Sequence, residues 1–266
     1  MRSACLLLLL AAPSLALAQQ TTDRVGAEVD TRSDRWTFGL GASVRDSPYA
    51  GEGTRVRPFP LVAFQGERFF WHGLTGGMHL WTSGGFTLDA LVSGRFDGFD
   101  IDDLGRAELA ANGLDASLLE DRDDALDAGV AAEWKGRAGS LRVRALADVT
   151  GTSDGYELSA DYGYPLHLGR TMLVPGVGVR WMSDDLVNYY YGTLDEEVAR
   201  GVRAYAPGSA VVPQLNLDVV HRLTRNWRLF GALEYQFLPD EIGDSPFIEP
   251  DTDGTVRLML GISRSF

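Results

Sequence analysis

The side chains that could perform chemistry are few and scattered along the chain. Four histidines are present, namely His72, His79, His167 and His221. A hydrolase would need a histidine beside a serine nucleophile and an orienting polar group. The sequence has no His-Glu-x-x-His motif and no phosphate-binding glycine loop. We therefore predict no catalytic residues, no cofactor and a protein that is not an enzyme.

Metal chemistry would have to use oxygen or imidazole ligands. The only cysteine is Cys5, which excludes an internal disulfide and a cysteine-based zinc site. Asp100, Asp102 and Asp103 offer clustered carboxylates, the ligands that calcium prefers. The glycine and terminal glutamate spacing of an EF-hand loop is missing, so we expect a solvated, mobile loop here and predict no metal site.

Composition and the N-terminal sequence indicate the cellular compartment of the protein and exclude some classes of partner. Of the residues, 45% are apolar and 23% are charged, which excludes a disordered chain. The net charge is -13 and Lys135 is the only lysine, so nucleic acid is not an expected partner. Arg2, the apolar run 6–17 and Ala16-Leu17-Ala18 predict a signal peptide over residues 1–18. Residues 19–35 are then a polar N-terminal segment in the periplasm.

Alternation of apolar and polar side chains is the main structural signal. It has a period of two, which is typical of strands with one apolar face. The segments are about ten residues long, as a tilted strand needs to cross a bilayer. A soluble β-sandwich would also alternate, but here the aromatic residues cluster at segment ends, as in the interfacial girdles of a transmembrane barrel. The clearest runs are Trp36, Phe38, Leu40, Ala42, Val44; Leu126, Ala128, Val130, Ala132, Trp134; and Val211, Leu215, Leu217, Val219.

The connections support an all-β, antiparallel up-and-down transmembrane β-barrel over residues 36–266. Short turns alternate with long acidic loops at 97–125, 183–208 and 239–254, as expected when turns face the periplasm and loops face outside. We predict about twelve strands in the outer membrane of a Gram-negative bacterium, with ten as the alternative. The predicted strands are 36–45, 54–65, 68–73, 76–81, 86–96, 126–135, 140–150, 156–165, 171–182, 209–221, 227–238 and 255–266.

The polar residues that alternate with these apolar ones point to the other face of each strand, and we predict that they line the lumen. In one interpretation they border a water-filled path whose arginines attract anions. In the other, which we favour, arginines and carboxylates pair across strands and fill the barrel. The candidates are Arg95, Arg142, Arg144, Glu157, Asp161, Arg180, Asp218, Arg228, Glu234 and Arg257.

Two further patterns predict local features. Pro58 and Pro60 lack an N–H to donate to a neighbouring strand, so they indicate a bulge or a locally unpaired strand in the second segment. Tyr189 to Tyr191 and the 195–201 turn lie in a long outer loop. This loop either folds into the mouth of the barrel or contributes to an interfacial aromatic belt, and the sequence leaves both alternatives open.

Several short motifs, in this order, resemble those of the MipA/OmpV family of outer-membrane proteins. The resemblance covers nearly the whole chain after the signal peptide. Its ending departs from the family pattern, because Ser265 separates Arg264 from Phe266. The motifs are Arg57-Pro58-Phe59-Pro60-Leu61-Val62 with Phe69-Phe70, Tyr190-Tyr191-Gly192, Asn226-Trp227, Asp244-Ser245-Pro246-Phe247-Ile248 and Ser263-Arg264-Ser265-Phe266.

The resemblance implies a role outside catalysis. Similarity to the MipA branch implies a scaffold that links a lytic transglycosylase to a penicillin-binding murein synthase, with residues 19–35 as the best candidate contact. Similarity to the OmpV branch implies a small-solute pore involved in osmotic or nutrient adaptation. The outer-membrane setting also predicts contacts with lipid and lipopolysaccharide. Divalent cations gathered by the acidic loops are the alternative to the solvated loop that we favour.

Overall fold

The computed structural model describes residues 35–266, which form thirteen strand segments and four short helices. The predicted signal peptide, and the predicted 19–35 segment apart from Arg35, lie outside the described residues. The strands are β1 (Trp36–Asp46), β2 (Thr54–Gln65), β3 (Phe69–His72), β4 (Thr75–Ser83), β5 (Phe86–Arg95), β6 (Ala125–Gly136), β7 (Gly139–Asp148), β8 (Tyr156–Gly163), β9 (Leu166–Leu168), β10 (Thr171–Met182), β11 (Ala210–Arg222), β12 (Trp227–Phe237) and β13 (Gly254–Ser265). The helices are α1 (Arg106–Ala111), α2 (Asp184–Tyr191), α3 (Asp195–Ala199) and α4 (Asp240–Gly243).

The sheet closes on itself into an antiparallel barrel. Consecutive strands pair with each other except β8 and β9, and β13 pairs with β1. Both β8 and β9 pair with β10, at 157–163 and at 166–168, so together they make one wall strand with a short interruption. The wall therefore has twelve strands, which confirms the prediction of twelve over the alternative of ten.

The alternating pattern places the apolar faces outside. Along β11, Val211 and Leu215 are exposed, whereas Gln214 and Asn216 between and beside them are buried. Successive side chains of a strand point to opposite faces, so the apolar parity covers the outer wall. A soluble sandwich would bury that parity instead, and the closed barrel rules this alternative out. None of the helices within residues 35–266 is long and apolar enough to span a membrane.

Strand β2 lacks a neighbour on one of its two sides along most of its length. β2 pairs with β1 over its whole length, but it pairs with β3 only through Ala63, Phe64 and Gln65. β3 has just four residues, so no strand pairs with Thr54–Leu61 on the side away from β1 within the described chain. We call this stretch the open edge. It bears out the locally unpaired strand predicted from Pro58 and Pro60, whereas the bulge is wrong, since the β1–β2 register is continuous.

The outer loops pack together and do not stay solvated. Buried side chains from 47–53, 96–124, 183–209 and 238–253 form one hydrophobic cluster above the barrel, and we call these four segments the cap. Leu109, Val187 and Phe247 in it are completely buried. The expected solvated loop at Asp100 to Asp103 is right for the carboxylates, since Asp100, Asp102 and Asp103 are exposed, but wrong for the backbone segment, because Phe99 and Ile101 anchor it in the cluster.

Candidate functional site

A buried ion pair holds the cap together. Arg122 Nη1 lies 2.9 Å from Glu197 Oε1 and Nη2 lies 3.0 Å from Oε2, and both side chains have no exposed surface. Glu197 also accepts the backbone N–H groups of Leu194 and Glu120, at 2.8 Å and 2.9 Å. This two-pronged geometry joins the end of the 96–124 loop to helix α3 of the 183–209 loop.

The remaining donors of Arg122 are also satisfied. Its guanidinium donates to the backbone carbonyls of Tyr189, Glu120 and Gly192, at 2.7, 2.6 and 3.2 Å. Its charge lies 5.2 Å from the ring centroid of Phe247, a cation–π distance. A buried charge is tolerated only when pairing and hydrogen bonds replace its hydration. Arg122 meets that condition, and three segments of the cap depend on it.

Below the cap, Arg95 is the centre of a second ionic cluster. Its guanidinium lies 2.6 Å from Asp127, 3.1 Å from Asp97 and 3.2 Å from Glu157. Arg180 lies 3.8 Å from the same Glu157. Burial would raise the pKa of Asp97, but Arg95 and Arg180 outweigh that effect and lower it. The cluster brings β5, β6, β8 and β10 into contact across the outer end of the lumen.

The other candidate residues also lie on the inner parity, in smaller pairs. Arg142 lies 3.3 Å from Glu133, and Arg257 lies 3.6 Å from Glu234. Arg228 donates to Ser265 Oγ at 3.0 Å. Buried side chains are Arg95, Arg144, Glu157, Arg180, Asp218, Glu234 and Arg257, whereas Arg142, Asp161 and Arg228 are half-buried.

Asp161 and Asp218 belong to one stretch of this wall. Asp161 lies 3.9 Å from Arg144 and accepts a hydrogen bond from Gln214 Nε2 at 2.7 Å. Asp218 lies on β11, two inner-parity positions further along from Gln214. The structure thus brings most of the ten candidates into cross-strand pairs. Their role in lining a path for solutes stays a prediction.

The histidines form a hydrogen-bonded chain without a nucleophile. Asp89 contacts His79 at 2.6 Å, and Gln65 bridges His79 and His72 at 2.9 Å and 3.1 Å. The second ring nitrogen of His79 is thus occupied by Gln65 and not by a hydroxyl. His167 and His221 lie elsewhere, on β9 and at the end of β11.

One serine pattern has to be considered beside the histidines. Residues 151–155 match Gly-x-Ser-x-Gly, but they form a turn between two strands, whereas a nucleophile elbow joins a strand to a helix. Ser153 Oγ donates to Asp148 at 3.1 Å. Among residues 35–266, no group of three or more histidine, cysteine, aspartate or glutamate side chains is placed to hold a metal ion.

A cavity of about 450 Å³ opens beside the cap, and we call it the side cavity. Its walls include Arg55 and Arg57 of the open edge, together with Asp103, Asp124 and Thr152 from the loops. Arg55 lies 3.8 Å from Asp103. Burial, with the nearby charges of Asp97 and Asp123, raises the pKa of Asp124 to about 6.

Sequence reasoning missed the residues that close the outer end. Glu197 follows Asp195 and Glu196 in a short acidic run, which is typical of a solvated helix terminus. Arg122 stands among acids in the same way. What distinguishes Arg122 and Glu197 from the other charged loop residues is their contact across 75 residues of sequence. No local spacing pattern predicts such a contact. For Tyr190, which is buried in the cap, the alternative of a loop that folds into the mouth is right.

Comparison with known proteins identifies relatives that are named as outer-membrane proteins. The family model described as MltA-interacting protein MipA matches residues 38–266. The MltA-interacting protein of Escherichia coli is 29% identical over 233 residues, covering 87% of this chain and 90% of that protein. The E. coli protein YiaT is 30% identical over 234 residues, covering 86% and 90%. The outer membrane protein OmpV of Vibrio cholerae is 26% identical over 131 residues, covering 49% and 51%.

Proposed function

We propose, from the premise that the chain belongs to the MipA/OmpV family of outer-membrane β-barrels, that it acts as a non-enzymatic scaffold. In this role its periplasmic face holds a murein-degrading lytic transglycosylase beside a penicillin-binding murein synthase. The name of the E. coli relative, MltA-interacting protein, supports a partner of this class for the chain.

The observation that carries the proposal is the closed outer end of the barrel. The Arg122–Glu197 pair and the hydrophobic cluster cover the mouth, and the Arg95 cluster links strands across the lumen beneath it. A barrel filled by its own side chains has no wide aqueous path. Its periplasmic surface is then the part that remains available to soluble partners.

The periplasmic surface also limits how the partner is held. The turns at that end have only a few residues, and a specific interface should bury roughly 1,000 Å² or more. We therefore propose that residues 19–35 supply much of the contact and that residues 1–18 act as the export signal. Outer-membrane lipid and lipopolysaccharide surround the barrel in this proposal.

A binding experiment with purified components tests the scaffold. The full protein in detergent is immobilised and titrated with a purified lytic transglycosylase, and then with a penicillin-binding synthase. We expect micromolar or tighter binding, and at least a tenfold loss after deletion of residues 19–35. The matched control is Arg137→Gln, an exposed change in the 137–138 turn, which should bind as wild type. Absence of binding by the intact protein contradicts the proposal.

A specific observation favours the pore as the second candidate. Arg180 Nε and Arg257 Nη1 are buried in the barrel without hydrogen-bond partners among the described residues. Such donors suit water or an anionic solute. Conductance in planar bilayers tests this candidate, and the replacement of Arg142 or Arg144 by glutamine should then reduce anion preference. A barrel that stays silent under all voltages removes the pore and leaves the scaffold.

A further inference from the structure

The open edge leaves backbone groups of β2 without a partner strand within the described residues. Gln65 donates its N–H to Arg35, on the side of β1, whereas the Val62 carbonyl accepts from Gly73, on the side of β3. Backbone groups of alternate residues point to opposite sides of an antiparallel strand. Thr54, Val56, Pro58 and Pro60 therefore share the direction of Val62 and face the side where the partner strand is missing.

The two prolines give this edge a definite chemical character. Pro58 and Pro60 have no N–H, so the edge presents mainly carbonyl oxygens, which only accept hydrogen bonds. A β-strand from another chain cannot pair well with such an edge, because it would find too few donors. In a bilayer, however, unsatisfied carbonyls are costly. A ligand rich in hydroxyl donors would satisfy them.

The side cavity lies directly behind the open edge. Arg55 and Arg57 belong to the open edge and also line the cavity, together with Asp100, Asp103 and Asp124 of the cap. A ligand carrying a strong charge of either sign would therefore meet like charges in the lining. A neutral molecule whose hydroxyls both donate and accept would bind to guanidinium and carboxylate groups alike. The volume is within the roughly 300–1,000 Å³ range of small-molecule sites.

We propose that the side cavity binds a sugar ring, and that the open edge admits it sideways when the sugar is the headgroup of a lipid in the outer leaflet. The lateral position supports the lipid-linked source, because Val56, Pro58 and Pro60 are exposed on the lipid-facing wall. Arg57 donates to hydroxyl oxygens and Asp103 accepts from hydroxyl hydrogens, and the edge carbonyls accept the remaining ones. This site lies at the opposite end of the barrel from the proposed periplasmic contact.

Fluorescence anisotropy tests the proposal with the full protein in lauryldimethylamine oxide, a detergent without sugar. The probe is a monoglucosyl diacylglycerol labelled on its acyl tail, and the negative control is the same labelled diacylglycerol without sugar. We expect saturable binding of the glycolipid only. Arg57→Gln, Asp103→Asn and the near-isosteric Thr152→Val should each weaken it, the first two by at least tenfold, whereas the distant Arg137→Gln should not.

Competition identifies the source of the sugar. If millimolar methyl glucoside displaces the probe, a sugar from solution also binds; if it does not, the lipid-linked form is the ligand. Either result supports the proposal. Equal binding of the sugar-free lipid overturns it, as does unchanged binding in both Arg57→Gln and Asp103→Asn. Circular dichroism melting of each variant separates a lost site from a misfolded barrel, and Thr152→Val keeps the test valid if the charge variants fail to fold.

Discussion

The two ends of the barrel are built on different principles. The outer connections contain side chains that are completely buried, such as Leu109 and Phe247, and they include four helices. The turns at the opposite end are a few residues long, and Arg137 and Arg225 in them are exposed. The outer connections are 47–53, 73–74, 96–124, 149–155, 183–209 and 238–253, of which 73–74 is as short as an inner turn, and the inner ones are 66–68, 84–85, 137–138, 169–170 and 223–226.

The difference shows that short turns and long loops are stabilised in different ways. A turn of two to four residues is fixed by the strands that it joins. Longer segments can bury apolar side chains against one another and so build a core of their own. The cap is therefore a small folded unit above the barrel, and changes there should open it without dissolving the wall.

The largest effect is expected from breaking the buried ion pair. Glu197→Leu leaves the Arg122 guanidinium buried without a counter-ion, which costs about 3–5 kcal/mol in similar cases. We expect the backbone amides of 183–209 to lose hydrogen-exchange protection while β11 and β12 keep theirs. The double variant Arg122→Met/Glu197→Leu should recover part of the protection. Unchanged exchange in Glu197→Leu would contradict the role assigned to the pair.

The next effect comes from the hydrophobic cluster. Leu186 is fully buried in α2, so Leu186→Ala should destabilise the cap by about 2–5 kcal/mol through lost burial and a cavity. Cleavage of the outer loops by added protease measures this change. Val198→Ala, at an exposed position of α3 in the same loop, is the matched control and should leave cleavage nearly unchanged. Similar cleavage of the two variants would argue against a packed cap.

A smaller effect is a pH dependence of the stability of the cap, caused by the titration of Asp124. Its pKa in the folded protein is about 6, above the ordinary value of 3.8, mainly because of burial. The folded cap then holds more protons than the open one, so its stability falls as the pH rises from about 4 to about 6. Asp124→Asn should remove this dependence. Hydrogen exchange of 96–124 at several pH values measures it, and identical profiles for both proteins would refute the assignment.

The smallest effect is expected at the periplasmic end. Arg225 is exposed in the 223–226 turn, and surface changes of this kind usually alter stability by less than about 0.5 kcal/mol. Arg225→Ala should therefore leave both the thermal melting of the barrel and the exchange of the cap as they are. A clear loss of cap protection would mean that the two ends are coupled through the wall.

The strand pattern was readable from the sequence because it depends on local alternation. The period of two in segments such as 209–221 and 227–238 predicts strands that the structure places at Ala210–Arg222 and Trp227–Phe237. Pro58 and Pro60 likewise predict an unpaired edge, because proline has no backbone N–H to donate to a neighbouring strand. The packed cap was not readable, because Arg122 and Glu197 become partners only after distant loops meet.

The seam between the first and last strands has a consequence for biogenesis. β1 and β13 pair from Thr37–Ser265 to Arg45–Arg257, so contacts there join residues more than two hundred positions apart. Closing so long a loop is slow, and unpaired strand edges invite aggregation until it happens. Translocation of the whole polypeptide must therefore finish before the cylinder can shut, and a truncated product lacking its final hairpin would persist as an incomplete sheet that depends on chaperones.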